Sequence, residues 1–390
     1  MPFVSVEITP TASRRDMRAF VEFPYRLYRN EPMWVPPLRF ERKQVLNRKK
    51  NPFFHHAEAE YFLARRNGKV VGRLSAHIDR NLNDFQDNRW GLFGFFECED
   101  DQEAATALIT AAADWLRERG RDRVVGPMSF TTNDECGILI DGFDLPPSIL
   151  TDWTMPYYPG LLEGTGLKKV MDTYMWSLYV DDRDSVHPAI FQMADEVKTK
   201  FGIDVRPMNK RKLKDEIPKF IEVYNEAWAR NWAFVPVERE EAVHYAKNLK
   251  PIMDKNWAYI AEKDGEVVGA SLTLPDFNQV LAHLNGRLLP FGWLKALWYQ
   301  RKIDRVRVFA LGVRKEYQHA GVAAKMYALH YDAAERTPQS WGETGWILET
   351  NIPMNRAMEG MGGKIIRKYR MYEQLLEPDA QPQDPQPFGG

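Results

Sequence analysis

Apolar positions recur along the 390-residue chain with two periods, and the two alternate. From Arg14 to Arg29, and again from Lys212 to Arg230, apolar residues fall at helical spacing, which predicts two amphipathic helices. After each helix the period drops to two, and the run turns at Asn67-Gly68 in one place and Asp264-Gly265 in the other. Both dipeptides tolerate the positive φ of a tight hairpin. Each hairpin is followed by a strand, a long alanine-rich helix, another strand, a short helical stretch and a closing pair of strands. Strands alternating with helices predict an α/β (α+β) chain, each half a mixed central sheet flanked by helices.

The halves also resemble each other residue by residue. FVEFPYRLYRNEPMWVPPLRFE from Phe20 matches FIEVYNEAWARNWAFVPVEREE from Phe220 at an offset of 200. EYFLARRNGKVVGRLSAHID from Glu60 matches WAYIAEKDGEVVGASLTLPD from Trp257 at an offset of 197. LLEGTGLKKVMDTYMW from Leu161 matches AMEGMGGKIIRKYRMY from Ala357 at an offset of 196. Three matches in one order at one period indicate a duplication. The expected boundaries are a first domain over residues 1–183, a second over 184–376, and a tail over 377–390. VDDRDSVHP from Val180 links the copies, and the Pro/Gln/Asp-rich tail is expected to be disordered.

Composition narrows the function classes. Lys and Arg total 53 against 54 Asp and Glu, so no global field favours nucleic acid. Two cysteines, Cys98 and Cys136, supply neither a disulfide framework nor a four-cysteine zinc site, and His55-His56 lacks metal-ligand spacing. No metal is expected. The first 20 residues hold no apolar core of signal-peptide length, and no uninterrupted apolar stretch approaches membrane-spanning length. The chain reads as cytoplasmic, with peripheral contact at the inner face of the membrane left open.

The chemistry concentrates in RVRVFALGVRKEYQHAGVAAKMYALHYDAAER, residues 305–336. A strand alternating through Val306, Val308 and Ala310 ends at Leu311-Gly312-Val313, a short polar loop follows, and a helix begins near Gly321-Val322-Ala323. A loop feeding its amides into a helix N-terminus attracts anions, because unpaired N–H groups and the helix dipole face the ligand. Gly321, Ala320 and Ala323 leave those amides unobstructed, and Arg314, Lys315 and His319 add positive charge.

Leu311-x-Val313 followed by Gln318-x-x-Gly321-x-Ala323 resembles the diphosphate loop of the GCN5-related N-acetyltransferase superfamily. The resemblance implies two tandem domains of that fold, with acyl-CoA or acetyl-CoA as co-substrate. It implies that backbone groups near Leu311 and Val313 pair with pantetheine. It also implies that amides across Gln318, His319, Ala320, Gly321, Val322 and Ala323 hold the coenzyme A diphosphate, with Asn351 after WILETN near the thiol. One position departs from the family: where many members carry a proton-donating Tyr, this chain has Met358, which has no proton to give. Tyr369 and Tyr372 are the nearest substitutes, and a thiolate also leaves tolerably without an acid. The first copy keeps only the outline, Gln102-x-x-Ala105-x-Ala107, among Glu97, Glu99, Asp100, Asp101 and Glu103. A like-charge pair at about 4 Å costs about 1 kcal/mol in water and about 4 near a protein surface. The first copy is therefore expected to be non-catalytic, either structural or shaping the substrate site.

The offset grows from 197 at the hairpins to 216 at the loops, so the second copy carries 19 extra residues, within residues 277–304. Leu294, Leu297 and Trp298 fall on one helical face, with cations elsewhere. That pattern suits a membrane-interface helix, a lid over a long apolar substrate, or a plain core helix. A basic-aromatic stretch, Glu41 to His56, suits either anionic head groups or a solvated face. For the general base, Glu349 beside the thioester strand comes first and His283 in the insert second. Asn225, Trp228, Asn231 and Trp232 lie where family members build the acceptor wall. The expected reaction is acyl transfer from a CoA thioester to a primary amine by direct attack, with strand amides stabilising the oxyanion. The insert and overall pattern are similar to bacterial acyltransferases that include ceramide synthases acylating a sphingoid base. Two rivals remain: N-acetyl transfer to a small-molecule or protein amine, and a non-catalytic acyl-CoA sensor.

Overall fold

The computed structural model describes residues 5–179 and 183–387; residues 180–182 of the expected linker and 388–390 of the tail lie outside the described residues. Its strands are β1 (Glu7–Pro10), β2 (Ala57–Arg66), β3 (Lys69–Asp79), β4 (Trp90–Cys98), β5 (Arg123–Gly126), β6 (Ile138–Asp141), β7 (Lys168–Tyr179), β8 (Asp204–Pro207), β9 (Ala258–Lys263), β10 (Glu266–Pro275), β11 (Arg305–Val313), β12 (Trp341–Leu348) and β13 (Lys364–Leu375). Internal contacts divide the chain into two units. The first takes the described residues up to Thr173 together with Leu284–Pro290 and Arg367–Gln386; the second takes Tyr174–His283 and Phe291–Ile366.

In the first unit the sheet runs β1-β2-β3-β4-β5-β13-β7, with β6 also on β13. Helix α1 (Arg14–Leu27) starts at a capping box in which the Ser13 hydroxyl accepts from the Asp16 amide and the Asp16 carboxylate accepts from the Ser13 amide. Its apolar stripe, Phe20, Val21 and Phe23, packs against Tyr61, Leu63 and Phe95. Each such side chain contributes about 1.5–3 kcal/mol on burial. Next along the chain come the short helices α2 (Arg39–Val45) and α3 (Arg80–Gln86), the longer α4 (Gln102–Arg117), and the short α5 (Tyr158–Gly164).

The second unit repeats the plan. Its sheet runs β7-β12-β11-β10-β9-β8. The helices are α6 (Ala189–Phe201), α7 (Leu213–Ala227), α8 (Arg239–Leu249), α9 (Asn278–Leu281), α10 (Gly292–Tyr299), α11 (Val322–Ala334) and α12 (Ile352–Gly360). Both hairpins turn as expected, with φ of 53° and 73° at Asn67-Gly68 and 51° and 87° at Asp264-Gly265. Those paired positive values match the right-handed twist of the flanking strands.

In each unit a parallel pair comes apart midway. Strand β4 pairs with β5 only over Trp90–Leu92 yet continues to Cys98. Likewise β11 pairs with β12 only from Arg305 to Val308 and continues to Val313. The gap beyond each ladder leaves backbone amides and carbonyls without a strand partner on that side.

The closing strand lies elsewhere than the sequence boundary at residue 376 puts it. Tyr372 pairs with Gly126 and Tyr369 with Leu139, so β13 from Arg367 onward belongs to the first unit. Strand β7 likewise gives its residues through Thr173 to the first unit and from Tyr174 to the second. A strand buried on both faces carries no pattern naming its neighbours, so its sheet is not legible locally. The tail forms no helix or strand through Pro387, but Gln383 is tied down: its amide donates to Glu373 Oε1 at 2.9 Å and its Nε2 to Oε2 at 3.0 Å.

Candidate active site

The second unit's loop has the geometry that its sequence suggests. After β11, Lys315–Ala320 form a tight 3-10 turn that ends at Gly321 with φ +75°. Gly321 is required there: a Cβ would lie 2.9 Å from the Met193 carbonyl, on a backbone that L-residues avoid. Helix α11 then begins with no side chain capping its first turn. Its leading amides are therefore available to an anion, reinforced by the dipole of 13 helical residues. Gln318 and His319 are exposed, whereas Ala320, Gly321 and Val322 are buried. Arg314 is not a free cation, because it pairs with Glu222 and, at 3.5 Å, with Glu226. The charge offered to a ligand falls to Lys315 and to the helix end itself.

The same place in the first unit is already filled. Helix α4 starts four positions earlier in the aligned frame, at Gln102, and Ala105, the counterpart of Gly321, lies inside it. The Asp101 carboxylate accepts from the Ala104 amide at 3.1 Å and so occupies the helix end. Arg66 holds both Asp101 and Glu103 at 2.8 Å, and Glu103 also accepts from the Val6 amide. Glu99 pairs with Arg26 and Lys69. The run of carboxylates is thus largely paired with neighbouring cations, and Asp101 caps the helix end from within the protein.

Of the expected acceptor wall, Trp228 stands closest to the chemistry. Its ring lies on Gly312 of β11, where a Cβ would meet Trp228 at 2.2 Å, and it stacks on Tyr224 at 4.7 Å. Asn225 spends its amide on the chain, accepting from the Val237 amide at 2.9 Å and donating to its carbonyl. Asn231 and Trp232 follow in the half-buried turn after α7. Leu311 is half-buried and Val313 buried on the unpaired end of β11. Asn351 caps α12, its side chain accepting from the Met354 amide at 3.2 Å. Glu349 is half-buried just past β12. His283 is exposed and stacks on Tyr299 at 3.6 Å. The acid candidates Tyr369 and Tyr372 are on β13. Both lie in the first unit, where the Tyr369 hydroxyl donates to the Asp152 carbonyl at 2.9 Å and that of Tyr372 to Glu163 at 3.3 Å.

Two features escaped the sequence reading. Tyr327, on α11, shares an apolar cluster with Met358, and its buried hydroxyl has no hydrogen-bond partner. Burial pushes that hydroxyl's pKa up. Its helical spacing among alanines gave it the signature of an ordinary core residue. The other feature is Glu97, at the β4 position that matches Gly312 on β11 through their partners Arg73 and Ala270. Glu97 accepts from the Tyr28 hydroxyl at 2.6 Å and the Tyr158 hydroxyl at 2.7 Å. Tyr28 is in turn the counterpart of Trp228. Where the second copy lays an indole on a glycine, the first copy buries a carboxylate under two phenols.

Among the described residues no group of three or more His, Cys, Asp or Glu is placed to hold a metal ion, and no helix is long and apolar enough to cross a membrane. The stretch from Glu41 to His56 is only partly a surface: Phe53 is buried, and Arg42 chelates Glu135 inside the first unit.

The whole chain superposes on known folds. A tandem GCN5-related N-acetyltransferase protein from the clavulanic acid biosynthesis pathway matches with a TM-score of 0.57 at 14% identity, covering 96% of this chain and 100% of that one. A glucosamine N-acetyltransferase region of a fungal multi-domain β-N-acetylglucosaminidase matches with a TM-score of 0.56 at 14% identity, over 95% of this chain and 38% of that one. The fold is therefore the tandem form of the GCN5-related N-acetyltransferases. No protein-family profile matches the sequence. Two relatives match nearly end to end: the bacterial ceramide synthase of Caulobacter vibrioides, 35% identical over 96% of this chain and 100% of that protein, and protein YghO of Escherichia coli, 34% identical over 93% and 94%. The chain belongs to their family, and the protein is an acyltransferase with the GCN5-related N-acetyltransferase fold.

Proposed function

We propose that this protein transfers a long-chain acyl group from an acyl-CoA thioester to the primary amine of a sphingoid-type lipid base, using the second unit's loop. The observation that carries this reading is the uncapped α11 terminus beside the unpaired end of β11, set against the filled counterpart in the first unit. The diphosphate rests on the amides from Gln318 to Ala323, and the pantetheine lies along Leu311–Val313. The thioester carbonyl meets strand amides that stabilise the tetrahedral oxyanion. The amine attacks directly, Glu349 or ordered solvent takes its proton, and coenzyme A leaves as the thiolate or thiol. Tyr327, with a buried hydroxyl that has no hydrogen-bond partner, is one second-unit group that can serve the leaving sulfur.

A ceramide synthase among the end-to-end relatives supports a lipid amine over a small polar one. So does the insert. Helix α10 buries none of its residues, and Leu289, Phe291, Trp293, Leu294, Leu297 and Trp298 are all exposed, Leu289 to 78%. A core helix would hide them. Exposed together with Lys295, Arg301 and Lys302 nearby, they suit the lipid–water interface, where the substrate resides.

The test is coenzyme A release by purified protein with sphinganine in vesicles. Palmitoyl-CoA is expected to turn over far faster than acetyl-CoA. Turnover of acetyl-CoA with small soluble amines, and none of palmitoyl-CoA with sphinganine, would overturn the assignment. Tight coenzyme A binding without product from any amine would instead establish a sensor.

A further inference from the structure

The first unit contains a cavity of about 50 Å³ where β4 has left β5, lined by Phe95, Phe96 and Glu97 on one side and Ser129 and Ile138 on another. A single water needs about 10–15 Å³, so this space suits a small polar head group rather than a chain. Three carboxylates reach it, Glu97, Glu135 and Asp152, against two guanidiniums, Arg42 and Arg73. Arg42 chelates Glu135. Glu97 accepts from Tyr28 and Tyr158 and has Arg73 at 3.6 Å. The Asp152 carboxyl makes no hydrogen bond and no ion pair among the described residues. A desolvated carboxylate without a counter-ion is costly. Burial, with Glu135 next, pushes the Asp152 pKa well up against the pull of Arg42. With all five groups ionised the lining is one positive charge short, which a proton on Asp152 or a bound cation supplies.

A second observation ties the cavity to the inserted segment. Tyr25 and Pro37 line it, and the inserted segment Leu284–Pro290, which belongs to this unit, packs on both. The Arg39 amide donates to the Gly286 carbonyl at 3.1 Å and the Arg39 guanidinium to the Asn285 carbonyl at 2.7 Å. A Cβ on Gly286 would lie 2.7 Å from the Tyr25 ring and 2.8 Å from the Pro37 carbonyl. The segment that distinguishes the second copy from the first therefore forms part of the rim's support.

We propose that this cavity binds a primary ammonium head group, with the Asp152 carboxylate as its counter-ion. The ammonium belongs to an amine acting as effector and not to the amine that attacks the thioester in the second unit, so the site does not depend on the acyl-transfer reading above. Ligand-observed saturation-transfer NMR with ethanolamine tests it on the full chain, with ethylene glycol as the uncharged comparator. Ethanolamine is expected to receive saturation from wild type and Asp152→Glu but not from Asp152→Asn, and ethylene glycol from none of them. Because Asp152 loses no partner in Asp152→Asn, its melting temperature should not fall, which separates loss of binding from loss of fold. Equal transfer to ethanolamine from wild type and Asp152→Asn, or equal transfer to ethylene glycol, would overturn the proposal. In turnover, a tenfold or greater rise in the amine KM of Asp152→Asn would place the acceptor here and overturn the effector assignment. An unchanged amine KM alongside lost ethanolamine binding assigns it to an effector. Ethanolamine binding without any acyl transfer leaves the site standing and removes the function.

Discussion

The N-termini of α4 and α11 hold matching places in the two units and differ in form. At α4 the chain enters the helix directly, Ala105 continues it, and Asp101 closes its end from within the protein. At α11 the chain makes a 3-10 turn, reverses at Gly321 and presents a first turn that no side chain caps. The difference follows from one residue type. Alanine resists the positive φ that the open loop needs, whereas glycine accepts it, so exchanging Ala for Gly decides whether the amides point at a ligand or up the helix.

The comparison breaks most clearly if the second loop is given the first loop's chemistry. Tyr317→Asp with His319→Glu places carboxylates where Asp101 and Glu103 stand. Acyl-CoA at about 100 times its dissociation constant should stabilise wild type by about 2.7 kcal/mol in a thermal-shift titration and the double variant not at all. Turnover should fall by about 100-fold or more, the equivalent of that same energy. Retained stabilisation would place the diphosphate elsewhere.

Acid sharpens the comparison, because each unit buries a histidine whose pKa burial lowers. His77, whose ring nitrogen meets the Phe130 carbonyl at 3.0 Å, and His330, at 3.1 Å from the Thr273 hydroxyl, are both held by burial to a pKa of about 4. Their ordinary value is 6.5. Between those values the unfolded chain takes up a proton that the folded chain refuses, so stability falls as pH falls from about 6.5 to 4 and is fully present above. At about 1.4 kcal/mol per pKa unit, each contributes about 3 kcal/mol across that window. Denaturant melts of His77→Gln and His330→Gln should each flatten the slope for one unit; an unchanged slope would show that the histidine is not buried neutral.

Smaller effects come from the backbone. Gly321→Ala should cost about 1–2 kcal/mol of stability from the left-handed φ, with a further loss from the Met193 carbonyl contact. Ala105→Gly, within a regular helix, should cost only about 0.5–1 kcal/mol. Urea melts of the two variants check the order, and a larger loss at Ala105 would reverse the assignment of which loop is strained.

Much of this was legible in the sequence. The alternation of strands and helices, both hairpin turns and the turn at Gly321 were carried by short-range patterns, because a tight turn and a glycine hinge state their backbone needs in two or three residues. The destination of β13 was not, since Tyr369 and Tyr372 have the same alternation whichever sheet they join. That is why two acid candidates for the second unit turned out to be parts of the first. Glu97 was readable only as one carboxylate in a run of five. Its role depends on Tyr28 and Tyr158, which are far away along the chain and near only after folding. Asn225 and Asn351 were chosen for their amides, and the chain uses those amides to fasten its own turns.

The most direct measurement is the stoichiometry of palmitoyl-CoA binding by isothermal titration calorimetry, on wild type and the Tyr317→Asp/His319→Glu variant. The account predicts one equivalent per chain for wild type and none for the variant. Two equivalents, or one that persists in the variant, would contradict it.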